Sequence, residues 1–218
     1  MQIKGQHILK LAVFSGIVGP ILFGTVIIIM TIIKHKFLLS LGWDPIHAPT
    51  LDWPSGLALG PYGWIMTATF ILSGLMMILF ASGLRLSLPR SRMTFYSILA
   101  LSFAGIAMTG LAFTTDPTYR STPATWHGIL HDTFFVLLGL MLMPAMILLG
   151  FAFRHDPKWR SLSNYTWLTA FCAVPTFGLK GAAFYVFLLL VLIWDEAIAI
   201  RLMKTIWLER EFQSYLRR

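Results

Sequence analysis

The sequence predicts an all-α fold, a polytopic bundle of six transmembrane helices forming one integral membrane domain over residues 1–218, with both termini cytoplasmic. Three observations lead there. Of the 218 residues, 57% are hydrophobic and only 12% charged, against roughly 25% charged in an ordinary soluble domain. Six stretches approach the roughly 20 apolar residues that a hydrocarbon core of about 30 Å asks of a helix. The basic residues then fall mainly on one side of those stretches. The same composition excludes a soluble globule, a disordered tail and a collagen-like repeat. A single cysteine, Cys172, excludes a disulfide scaffold.

The spans are expected at about 9–33, 62–84, 93–113, 123–153, 162–177 and 182–202. Lys4 and Lys10 precede the first as they would a signal sequence. Its apolar run is roughly 23 residues, beyond the 7–15 of a cleaved signal, and no small-residue cleavage site follows, so an uncleaved anchor is expected. Arg85, Arg90 and Arg92 mark the turn between the second and third spans. The fourth opens on Thr122-Pro123, a helix start with proline in the first turn. Its apolar part, 133–153, begins about three turns later. The fifth span is the shortest. Gly178-Leu179-Lys180-Gly181 separates it from the sixth, since carrying Lys180 through hydrocarbon would cost about 3 kcal/mol. Residues 203–218 read as an amphipathic tail that continues the last helix along the inner headgroups.

Orientation follows from counting. With the N-terminus inside, thirteen Lys and Arg lie on the inner side and four (Lys34, Lys36, Arg120, Lys180) on the outer, accounting for all 17. That is the positive-inside pattern. The net charge of +8 therefore points to anionic lipid headgroups as partners and away from nucleic acid. Trp43, Trp53, Trp64 and Trp126 at the outer boundary, with Trp159, Trp167 and Trp207 at the inner one, read as aromatic belts. Ser15, Gly19, Gly24, Ser73-Gly74, Gly105 and Gly110 are placed for close helix approach. Pro20, Pro144 and Pro175 lie inside spans, where each removes a backbone hydrogen bond.

The outer face carries the candidate site. The first external loop, about 34–61, is the longest in the chain and holds Trp43-Asp44-Pro45, His47 and Asp52-Trp53-Pro54-Ser55-Gly56; loops of this length in compact proteins are commonly functional or disordered. Asp52 is expected to cap a short interfacial helix running through Leu57 to Leu59. His47, Asp52, Ser55, Trp64, Asp116 and His127 are the candidate ligand-binding residues. His127 and His131 fall one turn apart on the face of the fourth helix. Such a pair can chelate one divalent metal such as zinc, with Asp116 or Asp132 completing the set; a metal-bound water would then support hydrolysis at the lipid surface, with Asp116, His127 and His131 catalytic. The alternative is a structural cluster in which the histidines hydrogen-bond to loop backbone. Contacts to a substrate, a proton or haem are a third reading.

Asp195-Glu196 is the second polar feature, in the inner half of the last span. It reads as an internal ion pair with Arg201, Arg85 or Arg154, as proximity to headgroups, or as a proton or ion relay.

Several runs carry a resemblance. They are Ser55-Gly56-Leu57-Ala58-Leu59-Gly60, Trp64, Phe70, Ser73-Gly74 and Phe80-Ala81-Ser82-Gly83-Leu84, then Gly105, Gly110, Phe113 and Asp116, then His127-Gly128. Together they resemble the prokaryotic domain-of-unknown-function family 998, from the first external loop to Trp194. The resemblance implies a six-helix bundle in the prokaryotic cytoplasmic membrane, with a polar outer-face cluster and no established activity. That pattern has a basic residue before the last span, where this sequence offers Lys180. The histidine-rich outer face is also similar to membrane metal-hydrolases of the ceramidase and adiponectin-receptor type, whose seven-span layout and split ligand set do not match.

The function expected is thus that of a membrane protein engaging a lipid or small amphiphile from the outer leaflet. A metal-dependent hydrolase is the first alternative and a small proton-coupled transporter using Asp195 and Glu196 the second.

Overall fold

The computed structural model describes residues 2–47, 53–117, 123–179 and 181–216, with side chains described within 5–206. All regular structure among the described residues is helical. The helices are α1 (Gln2–Ile33), α2 (His35–Ser40), α3 (Gly63–Ser87), α4 (Arg92–Gly110), α5 (Trp126–Arg154), α6 (Ser163–Phe177) and α7 (Ala182–Leu216), with 3-10 turns at Pro54–Ala58 and Arg160–Leu162. Five of them, α1, α3, α4, α5 and α7, contain segments long and apolar enough to cross a membrane.

Helix α6 has 15 residues, about 22 Å at 1.5 Å per residue. It nevertheless runs antiparallel along α5 for nearly the same distance. At its start Ser163 Oγ donates to Gly150 O at 2.8 Å; at its end the Phe177 ring stacks on Phe135 at 4.6 Å.

The six long helices close a ring in chain order. Neighbours pack as α1–α3, α3–α4, α4–α5, α5–α6 and α6–α7, and α7 returns to α1. Small residues make the tightest crossings. A Cβ on Gly74 would lie 2.5 Å from Gly105 O, and one on Gly105 would lie 2.8 Å from Gly74 O, so the α3 and α4 backbones touch there. A Cβ on Gly83 would meet the Ala12 Cβ at 2.2 Å, joining α3 to α1. Gly19 and Gly24 do not act in this way: added Cβ atoms there would find only ordinary contacts at 3.5 Å.

Four other expectations are corrected. The fourth long helix starts at Trp126, not at Thr122-Pro123, because Thr125 is its cap: Gly128 N donates to Thr125 Oγ1 at 3.1 Å. Thr122 itself is outside the described residues. The third long helix stops at Gly110, short of 113, where the carbonyls that follow turn toward histidines of α5. The short helix of the first loop is a 3-10 turn with Trp53 at its cap and Pro54 first in the helix; Asp52 lies outside the described residues. Finally, Trp159 is no belt residue, being fully buried with its ring stacked on Phe153 at 5.1 Å. Trp53 also faces inward, meeting Phe135 and Phe184 edge-on at 5.1 and 4.9 Å. Trp64 and Trp126 are exposed, at 71% and 69%, as a belt position requires. Beyond residue 202, α7 continues without a break to Leu216.

Candidate functional site

The first loop folds into a roof over one end of the ring. Lys34, at the end of α1, is only 2% exposed. Its ammonium donates to Leu57 O at 2.7 Å and also to Leu59 O, and lies 5.2 Å from the centre of the Phe37 ring. Burial lowers its pKa from the ordinary lysine value. Trp43 packs where a Cβ on Gly56 would stand, 1.7 Å from Cζ3. The chain then turns into α3 through Gly60 and Tyr62, both with φ near +60°, a conformation that glycine adopts without penalty and tyrosine does not. Three contacts thus tie 53–60 to the end of α1 and to the turn that follows α2.

Beneath the roof the ring is not filled. A cavity of about 50 Å³ lies under Trp53, Pro54 and Ser55, with His131 and Phe184 in its wall. A second, of about 70 Å³, reaches deeper to Ser15, Ser73 and Asp195. Phe23, Met108, Leu138, Phe187 and Leu188 line both, so the two adjoin. The walls are apolar except at the far ends. Ser73 Oγ is buried with no partner among the described residues.

Asp116, His127 and His131 form the opposite rim of the roofed end. Asp116 accepts from Thr125 N at 3.0 Å and from Thr125 Oγ1 at 2.6 Å. Those bonds, with the nearby His127, hold its carboxyl below the usual aspartate value. Its Oδ2 occupies the space of a Cβ on Gly128, 2.2 Å away. The carboxylate therefore lies over the N-terminus of α5, where the exposed amides and the helix dipole favour negative charge. His127 Nδ1 donates to Thr114 O at 2.8 Å, and His131 Nδ1 to Phe113 O at 2.7 Å and Leu111 O at 3.1 Å. A carbonyl only accepts, so both rings carry a proton on Nδ1. They tether the unwound end of α4 to α5. Among the described residues no third ligand joins them as a metal set; the oxygens of Asp116 are taken up by Thr125.

The remaining candidates scatter. Ser55 is at the cavity roof, Trp64 projects outward from the first turn of α3, and His47 sits on the roof's edge, bonded to Asp44 at 3.1 Å. Asp195 lines the deeper cavity, while Glu196 Oε1 is buried without a partner among the described residues. Neither acid makes an ion pair there; Arg201 Nε instead donates to Lys158 O at 2.6 Å. Sequence reasoning passed over Lys34 and His35 because a basic residue just past a span reads as an interfacial anchor. It took Trp53 for a belt residue because position alone does not reveal which way a ring points.

A family model described as "Protein of unknown function (DUF998)" matches residues 17–201. The chain belongs to the DUF998 family. Among curated proteins and among solved structures, nothing matches. The matched span of this DUF998 chain takes in the roof, the walls of both cavities apart from Ser15, and the Asp116–Gly128 contact. That contact gives a physical reason for two of the short motifs behind the resemblance: Asp116 and His127-Gly128 are the two halves of one helix cap.

Proposed function

We propose that this DUF998 protein is a six-span membrane protein, both termini cytoplasmic, that admits the alkyl chain of a lipid or small amphiphile into the ring from the outer leaflet. The observation that carries the reading is the pair of adjoining cavities, apolar along their shared wall and polar only at Ser55 and His131 above and at Ser15, Ser73 and Asp195 below. Narrow apolar space of this kind stays dry and takes hydrocarbon, whereas a polar solute would lose its hydrogen bonds there. The course of α6 along α5 supports the sixth crossing, and the thirteen-to-four distribution of basic residues supports the orientation.

The test is quenching of tryptophan fluorescence by chain-brominated decanoate, with purified protein in nanodiscs. Saturable quenching is expected, reduced in Trp53→Phe because that ring lies at the cavity roof. Leu138→Trp, which fills the shared wall, abolishes the saturable part; Leu140→Trp, 61% exposed on the outside of α5, leaves it intact. Quenching that never saturates, or that ignores Leu138→Trp, overturns the reading.

A further inference from the structure

Three described histidines hold a main-chain carbonyl through Nδ1: His127, His131 and His155, the last bonding Phe151 O at 2.8 Å. His35 and His47 hold none. They face each other instead, ring centres 5.9 Å apart and steeply inclined at 60°. His35 Nδ1 is buried with no partner among the described residues. An imidazole nitrogen shut away from water without a partner carries a desolvation cost that a proton donor, an acceptor or a metal ion would relieve.

Asp44 completes the group. Its carboxylate accepts from His47 N at 3.0 Å, and its Oδ1 lies 3.1 Å from His47 Nδ1. One ligand atom from each of His35, Asp44 and His47 can be chosen so that all lie within 4.8 Å of one another. Three atoms so grouped need only small side-chain rotations to surround one ion at the 2.0–2.2 Å typical of zinc–nitrogen and zinc–carboxylate bonds. Two imidazoles and one carboxylate suit zinc and its first-row neighbours; magnesium and calcium prefer oxygen alone.

We propose that His35, Asp44 and His47 form a binding site for a zinc-class divalent cation, with the fourth position open to solvent on the side of His47. The site is distinct from the His127–His131 pair. Its ligands come from the first turn of α2 and from the turn at Trp43–His47, two segments that are otherwise joined through short-range contacts. Occupancy pins that turn to α2, and so fixes the edge of the roof whose centre Lys34 already anchors. The proposal stands whether or not the cavity below takes an alkyl chain.

The experiment uses tag-free full-length protein in nanodiscs, stripped with a chelator and titrated with Zn²⁺ by calorimetry, with Co²⁺ absorption as a second readout. One equivalent of Zn²⁺ per chain is expected, with Co²⁺ giving d–d bands of a site containing imidazole nitrogen. His47→Gln changes a side chain that is 72% exposed, so it leaves the fold intact. It is expected to weaken binding by more than the roughly 10–100-fold that loss of an outer-shell partner costs. His35→Gln and Asp44→Asn do the same, while the His127→Gln/His131→Gln double variant, if it retains its elution profile, binds as wild type. Absence of a stoichiometric site, binding that His47→Gln leaves unchanged, or binding that disappears in the double variant while its fold persists, overturns the proposal.

Discussion

At the scale of single residues, Asp116 shows how a half-buried acid can organise a junction. Burial alone does not give it that role; what matters is that Thr125 gives it two hydrogen bonds and that Gly128 leaves room for it above the first turn of α5. Its pKa in the folded protein lies below the ordinary value of 3.8. A carboxyl depressed on folding adds stability above its unfolded pKa and loses it as the pH falls through the folded value. The melting temperature of Asp116→Asn is therefore expected below that of wild type at neutral pH. The gap stays level down to about pH 5 and closes below 3.8. Thermal scans of both proteins across that range check it; a gap that persists in strong acid would assign the effect to shape and not to charge. The junction was only half legible beforehand. His127 and His131 were found by helical spacing, and their use as tethers was one of the readings open. No spacing rule says that the carbonyls of 111, 113 and 114 would turn toward them, because that depends on where α4 unwinds.

At the scale of helices, the contrast among glycines decides which crossings are tight. Sequence position alone put Gly19, Gly24, Gly74 and Gly105 on one footing. The packing separates them, since only the last two bring backbone against backbone. Gly74→Ala is expected to cost about 1–3 kcal/mol, the usual range for overpacking, with loss of α3–α4 contact. Gly19→Ala meets only ordinary van der Waals contacts, with Met76 at 3.5 Å, and gains up to about 1 kcal/mol from helix propensity. Chemical or thermal unfolding in one detergent measures both; equal effects would contradict the close approach. The helices themselves were readable because runs of apolar residues of this length leave few alternatives. Their ends were less so. Thr125 rather than Thr122 caps α5, and what chooses between them is the bond to Asp116 across a loop.

At the scale of the molecule, the proposed topology makes a prediction of its own. In a Cys172→Ser background, single cysteines at Ile46, His155 and Leu179 all replace exposed residues. In right-side-out vesicles an impermeant maleimide is expected to label Ile46→Cys and Leu179→Cys, and to reach His155→Cys only after permeabilisation. Labelling of Leu179→Cys together with His155→Cys would mean that α6 folds back without crossing. The all-helical, membrane-like character of the molecule was the part the sequence spoke to most directly, through the length of its apolar runs. The internal cavities were invisible to it. They arise because side chains from α1, α3, α4, α5 and α7 fail to meet at the axis of a six-membered ring, and that is a property of no single segment.

Ring closure in chain order has one more consequence. Since every long helix packs against the one before and the one after it, and α7 also packs against α1, the connectivity has no privileged opening. A gene rearranged to begin at α3 and to finish with α1, joined behind α7 through a flexible linker, keeps all six neighbour pairs. Such a circular permutant should insert and fold, whereas one that swaps the order of α4 and α5 should not.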